Sequence, residues 1–326
     1  MEKRKKYSIF SFAAIVILVL VVLCGGLLIL ESTVLHPEED LGIQPASKTI
    51  TRNGTAYFPR QDINTILIMG IDETGYAKDS LSYNNAGEAD MIMLAVFDEK
   101  EKCCNILSLN RDTMMEIPVL GLGGKQAGTK YAQLALAHTY GSGLVDSCEN
   151  TRKAVSDFLN GIPIDYYVSV YLDAIPVMND SVGGVTVTVT DDFSGVDEHI
   201  PMGRVTLQGE QAKTFVQTRW NVGDHLNQSR MERQKEYVAC FVEQMRNKLK
   251  KDENFLISVY EQVSPYIVSD MPLNTLNMLA ERYEDYKLGQ MMTVEGENRM
   301  GKEFYEFYPD MEKLDEQILK LFYAPK

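Results

Sequence analysis

The stretch DMIMLAVFDEKEKCCNILSLNRDT, residues 90 to 113, holds two apolar runs separated by the charged turn DEKEK, and it reads as a β-hairpin within a buried sheet. With the turn centred near Glu101, cross-strand partners have numbers summing to about 202, which sets Asp90 opposite Asp112 at the hairpin's open end. Like charges directly opposite one another are destabilising, so the pair calls for a compensating cation, either a neighbouring basic residue or a divalent metal. Arg111 adjoins but, by strand alternation, points to the other face. Hard oxygen ligands suit Mg²⁺, which takes one or two carboxylates together with substrate phosphates and waters. Asp90 and Asp112 are therefore the candidate metal ligands. The competing reading is that one aspartate caps a loop and the other pairs with an arginine.

Working outward, INTILIMGID, residues 63 to 72, is a short β-branched run that predicts a buried strand, with its loop continuing to Gly87. On the other side, KYAQLALAHTY, residues 130 to 140, and residues 148 to 159 predict helices. Residues 164 to 172 alternate as a strand, and Gly183-Gly184 turns the chain into a Val/Thr strand over residues 185 to 190. A long helix is expected over residues 230 to 250, with amphipathic segments at 253 to 266, 272 to 287 and 311 to 323. In the last of these, Leu314, Ile318 and Leu321 are expected to pack on the domain. Strands and helices mixed in this order imply an α/β layered domain.

A second stretch, RWNVGDHLNQSRMERQ, residues 219 to 234, sets Arg230, Arg233 and Gln234 at spacings that share a helix face, with Arg219 just upstream. Planar guanidinium forks suit bidentate contact with phosphate oxygens. The 326-residue chain is otherwise acidic, with a formal charge of -14, so its long-range field repels polyanions and excludes nucleic acid as a partner. Any phosphate must be held locally. Cys103, Cys104, Cys148 and Cys240 match no zinc spacing, and the four histidines have no paired spacing, so the thiols read as buried and free.

At the N-terminus, Lys3, Arg4, Lys5 and Lys6 precede an uncharged run from Ile9 to Leu30, long enough to cross a bilayer as a helix. Its length exceeds the apolar core of a cleaved signal peptide. With Glu31, Glu38, Glu39 and Asp40 after the span, the positive-inside rule predicts a single-pass protein of the cell membrane. Residues 1 to 8 are then a cytoplasmic tail, 9 to 30 the transmembrane helix, 31 to 62 an extracytoplasmic stalk, and 63 to 326 one extracytoplasmic domain.

Several blocks in order resemble the LytR-CpsA-Psr family, which attaches glycopolymers to the bacterial cell wall. NTILIMGID resembles its first strand, EADMIML its Asp-bearing segment, LSLNRDTMMEIP its Arg-Asp segment and KYAQLALAHTYG its Lys-bearing helix. IDYYVSV, DSVGGVTV and LQGEQAKTFVQTR resemble later blocks, and SRMERQ falls at the family's arginine and glutamine signature. The resemblance covers about residues 63 to 287 and implies an α/β/α arrangement on a mixed central sheet, with an apolar tunnel for a polyprenyl chain. It implies Mg²⁺ (or Mn²⁺) on Asp90 and Asp112, with pyrophosphate contacts from Arg219, Arg230 and Gln234, extended here to Arg233, Arg111 and Lys130. The chain departs from the family pattern at Glu88, where Arg is common, at Gln217, where an Arg-x-Arg pair begins, and at Asn227, where Asp is usual; Asp224, three residues earlier, would substitute if its loop folds it back.

The activity so implied is Mg²⁺-dependent transfer of a glycopolymer phosphate from a polyprenyl-pyrophosphate carrier onto peptidoglycan. Asp112, Arg111, Arg230 and Asp224 are the catalytic candidates, with Asp72, Asp112 or Asp224 as general base. A pyrophosphatase releasing the glycan to water would use the same site. The three departures motivate another alternative, a non-catalytic, membrane-anchored lipid-binding or regulatory protein of cell-envelope assembly.

Overall fold

The hairpin read from residues 90 to 113 forms the middle of the main sheet, and its register differs from expectation by one residue. In the computed structural model, which describes residues 49 to 325 apart from 53, 81–85, 224–226, 250, 253–254, 273–274, 276–277, 280–281 and 284–285, Ile92 lies opposite Leu109 and Asp98 opposite Cys103. The pair sum is thus 201, and a single-residue slip exchanges every cross-strand partner. The turn holds this register because the Asp98 carboxylate accepts the backbone N–H groups of Lys100 and Glu101 while Lys102 adopts a φ of +48°.

In chain order the elements begin with β1 (Ile50–Arg52), β2 (Thr55–Pro59), β3 (Ile63–Ile71), β4 (Ala89–Asp98), β5 (Cys103–Leu109), β6 (Met114–Leu120) and β7 (Gln126–Gln133). There follow α1 (Val145–Phe158), β8 (Tyr166–Tyr171), α2 (Ala174–Ser181), β9 (Val185–Val189), β10 (Gly203–Leu207), α3 (Glu210–Gln217) and α4 (Asn227–Leu249). The chain closes with α5 (Phe255–Val263), β11 (Ile267–Ser269), β12 (Lys287–Thr293), β13 (Gly296–Met300), β14 (Tyr305–Pro309), α6 (Met311–Phe322) and β15 (Tyr323–Pro325). The main sheet has the order β11-β8-β3-β4-β5-β12, with β3 parallel to β8, β5 parallel to β12, and the other pairs antiparallel. It is a mixed α/β architecture.

Strand alternation divides the apolar residues between two faces. Ile66, Met93, Ala95, Phe97, Ile106 and Val168 pack on one side with α2 to α5, through residues such as Phe215, Tyr237, Phe241 and Val259. Leu67, Met69, Leu94, Val96, Leu107 and Tyr167 pack on the other with α1 and α6. Leu314, Ile318 and Leu321 are buried there, as the amphipathic C-terminal pattern predicts. Gly183 and Gly184 have φ of +88° and +87° between α2 and β9, and a Cβ on Gly184 would lie 2.7 Å from the Leu207 carbonyl, so glycine is required there.

Two local readings change. KYAQLALAHTY is not one helix: its first four residues end β7, which pairs with β6, and only Leu134–Ala137 turn, as a short 3₁₀ segment. Residues 50 to 52 and 55 to 59, read as part of the stalk, form β1 and β2, and β2 pairs with β15. The predicted span Ile9–Leu30 lies outside the described residues, as do residues 31 to 48 of the stalk; among the described residues no helix is long and apolar enough to cross a membrane.

His138 is fully buried, with Nδ1 3.1 Å from the Gly87 carbonyl and Nε2 3.9 Å from the Cys148 thiol. Desolvation pushes its pKa down from 6.5 to about 4. The folded state therefore binds fewer protons than the unfolded one between these values, and stability falls as pH drops through that window. Urea denaturation should show a loss approaching about 3 kcal/mol between pH 7 and pH 4 that His138→Gln removes.

Candidate active site

Asn110 follows directly on β5 and shapes the turn that carries Arg111 and Asp112. Its side-chain oxygen accepts the Asp112 backbone N–H at 3.0 Å, and its carbonyl accepts the Thr113 N–H at 3.1 Å and hydroxyl at 2.6 Å. The chain leaves strand geometry at this turn, so alternation no longer governs Arg111. Arg111 accordingly does not point away from Asp90: one terminal nitrogen bonds Asp90, the other bonds Glu88, and Nε lies 3.3 Å from Oδ1 of Asp112. A neighbouring arginine thus offsets the charge of both aspartates.

Arg230, in the first turn of α4, donates to the other oxygen of Asp90 at 2.6 Å. Asn227 orients it, its amide oxygen accepting from Nε at 2.9 Å and Nη2 at 2.6 Å, while its amide nitrogen donates to Asn110 at 2.9 Å. Burial, then Arg111 and Arg219, push the Arg230 pKa down from its ordinary value, with Asp112 acting against them. A guanidinium nonetheless stays protonated. Arg219 approaches Oδ2 of Asp112 at 3.3 Å, and its guanidinium carbon lies 5.7 Å from the Trp220 ring centroid and 5.2 Å from that of Tyr305.

Arg111, Arg219 and Arg230 line one open cavity of about 420 Å³ with Asp72, Asp90, Val196, Gln217, Thr218 and Trp220. Behind it lies a second, narrow cavity between the sheet and α2 to α4. Its walls are Ile68, Met93, Val168, Met178, Tyr237, Phe241 and other apolar side chains, and Asp90, Gln217 and Arg230 belong to both cavities. An apolar pocket thus shares a wall with a cluster of guanidiniums.

The other predicted site residues sit elsewhere. Arg233 is buried and committed to the fold: it donates to the Phe215 carbonyl at 2.9 Å, to the Thr218 carbonyl and to the Asp191 carboxylate, tying α4 to the end of α3. The i,i+3 spacing that aligned it with Arg230 turns it far enough around the helix to meet α3 instead. Gln234 donates to the Val216 carbonyl at 3.2 Å and lines the apolar cavity. Lys130 is exposed on β7, opposite Ile117, and does not line the arginine cavity, because its segment is a strand rather than a helix. Asp224 lies outside the described residues.

Sequence reasoning missed Gln133, which donates to Asp112 at 3.0 Å and to the Tyr305 carbonyl at 2.7 Å. Reading its segment as a strand would have separated it from Lys130 by alternation. It also missed Tyr305, supplied by β14 beyond the segment of resemblance. Of the departures, Glu88 pairs with Arg111, Gln217 donates to Asp72 at 3.1 Å, and Asn227 holds Arg230.

A mixed α/β domain with this cluster at the mouth of an apolar cavity has counterparts among known proteins. The chain belongs to the LytR_cpsA_psr family, whose model matches residues 31–322. It is 27% identical over 284 residues to the polyisoprenyl-teichoic acid–peptidoglycan teichoic acid transferase TagU of Bacillus mycoides (strain KBAB4), covering 83% of each chain. The protein of that name from Enterococcus faecalis (strain ATCC 700802 / V583) is 25% identical over 325 residues, covering 98% of this chain and 95% of the relative. The crystal structure of B. subtilis TagV superposes with a TM-score of 0.58 at 25% identity, covering 80% of this chain and 97% of that one.

Because Arg233 fastens α3 to α4, Arg233→Met, which leaves the Asp191 carboxylate and two carbonyls without their partner, should destabilise the fold in urea denaturation by about 3 kcal/mol. An unchanged denaturation midpoint would show that Arg233 does not hold α3 to α4.

Proposed function

We propose that the protein is a transferase that moves a glycopolymer of the teichoic acid class, with its phosphate, from a polyprenyl-pyrophosphate carrier onto peptidoglycan. The observation that carries this reading is the shared boundary of the two cavities: Asp90, Gln217 and Arg230 face both the apolar pocket and the open arginine cluster. A ligand matching both has a hydrocarbon chain ending in phosphates. The activity for which the TagU relatives are named agrees with it.

The acceptor hydroxyl forms a new O–P bond to the glycan-bearing phosphorus, the bridging P–O bond breaks, and polyprenyl phosphate leaves. Arg111, Arg219 and Arg230 hold the pyrophosphate oxygens and offset charge as it moves to the leaving oxygen. The hydroxyl proton goes to a carboxylate. Asp72 is exposed in the open cavity and steadied by Gln217, whereas Asp112 is enclosed by Arg111, Arg219 and Gln133.

The cluster also fits a divalent cation. Among the described residues no three His, Cys, Asp or Glu side chains gather to hold a metal. Asp90 and Asp112 nevertheless supply the two carboxylates that Mg²⁺ or Mn²⁺ takes when phosphates and waters complete the set, and Oδ2 of Asp112 accepts no hydrogen bond. The three arginines are balanced by Glu88, Asp90 and Asp112, so a pyrophosphate diester of charge about -2 enters without net imbalance if a dication enters with it. Bound there, the cation would neutralise phosphate charge and free the guanidiniums for the substrate. Ile9–Leu30 would anchor this domain outside the cell membrane.

With the full chain, a polyprenyl-pyrophosphate-linked oligosaccharide and nascent peptidoglycan, mass spectrometry should find sugar phosphate joined to peptidoglycan. Arg230→Ala and Asp112→Asn should each lower the rate by about 100-fold or more. Free sugar phosphate would instead identify hydrolysis, and unchanged rates would overturn the site assignment.

A further inference from the structure

Trp220 is the chain's single tryptophan, and it is 62% exposed. So large an apolar ring is ordinarily mostly covered. Its backbone is not a loose loop. The Thr218 carbonyl is held by Arg233, Arg219 is fixed against Asp112, and Val222 is buried in the core beside α3 and α4. Between them, Asn221 takes a φ of +62°, which turns the chain so that Val222 enters the core while Trp220 stays at the rim of the open cavity. The Arg219 guanidinium, itself in contact with the Tyr305 ring, lies over the indole. An apolar plane is thereby presented to solvent directly beside a phosphate-binding cation.

A sugar esterified through its anomeric oxygen to a phosphate on Arg219 lies within a few bonds of that cation. The apolar face of a pyranose, with its slightly positive C–H groups, complements the negative face of an aromatic ring, while its hydroxyls stay in water. We propose that Trp220, braced by Arg219 and Tyr305, is the wall against which the first pyranose ring of the donor packs. The site then reads the sugar next to the phosphate as well as the phosphate and the lipid. This inference rests on the donor proposed above and deepens it.

The test compares two probes, geranylgeranyl pyrophosphate and its N-acetylglucosaminyl ester, by calorimetric titration of the full chain in lipid nanodiscs. Trp220→Ala should weaken the glycosylated probe roughly 5- to 10-fold and the sugar-free probe by less than about twofold, and Trp220→Phe should restore most of the loss. In the wild-type chain, tryptophan emission should shift further with the glycosylated probe. If Trp220→Ala weakens both probes equally, or neither, the sugar wall is overturned while the phosphate site stands. If the wild-type chain binds neither probe, the proposed donor falls, and this inference with it.

Discussion

Electroneutrality of a half-buried cluster is the constraint on which the rest of the site depends. Arg111, Arg219 and Arg230 face Glu88, Asp90 and Asp112 within a few ångströms, and Arg230 and Asp112 have almost no solvent contact. Removing one partner from such a set leaves an uncompensated buried charge, which costs about 3–5 kcal/mol. The cluster therefore also fixes where its supporting elements end. β4 supplies Asp90, the Asn110 turn after β5 supplies Arg111 and Asp112, and the first turn of α4 supplies Arg230. Asn227 and Asn110 couple the last two through a single amide oxygen. Glu88 and Asn227 are thus working parts of the cluster rather than losses.

Helix α4 joins the two halves of the site. Its first turn carries Arg230 at the charged mouth, and the turns that follow carry Gln234, Tyr237, Val238 and Phe241 into the apolar cavity. An amphiphilic ligand is matched by one helix that changes polarity along its length. The N-terminal end, where the helix dipole is positive, lies with the arginines, which adds to the attraction for an anion. The sheet does the same from below: β3 and β4 present Ile68, Met91 and Met93 to the cavity, and Asp90 stands at its edge. The apolar cavity and the charged mouth thus share one framework.

Much of this was legible in the chain because it reflects local periodicity. The apolar runs at residues 63 to 72 and 90 to 109 could only be buried strands, and the 3.6-residue pattern after Asn227 could only be a long helix. Asp90, Asp112, Arg219 and Arg230 carry charges that no core would accept singly, and they do gather. The amphipathic closing segment likewise declared its buried side, because Leu314, Ile318 and Leu321 repeat at helical spacing.

Tertiary structure alone decided which partner each charged or polar group takes. Hairpin register turned on the cap that Asp98 makes within its own turn, and that one-residue choice, with the Asx turn at Asn110, put Arg111 beside Asp90 rather than behind it. Arg233 shares its helix face in sequence with Arg230, yet the packing of α3 claims it for three acceptors of the fold. Gln133 and Tyr305 reach the site from segments 172 residues apart and joined by one hydrogen bond of 2.7 Å. Periodicity is a property of neighbours along the chain and survives in the sequence. The choice among hydrogen-bond partners depends on distances across the sheet and between helices, which exist only once the chain has folded.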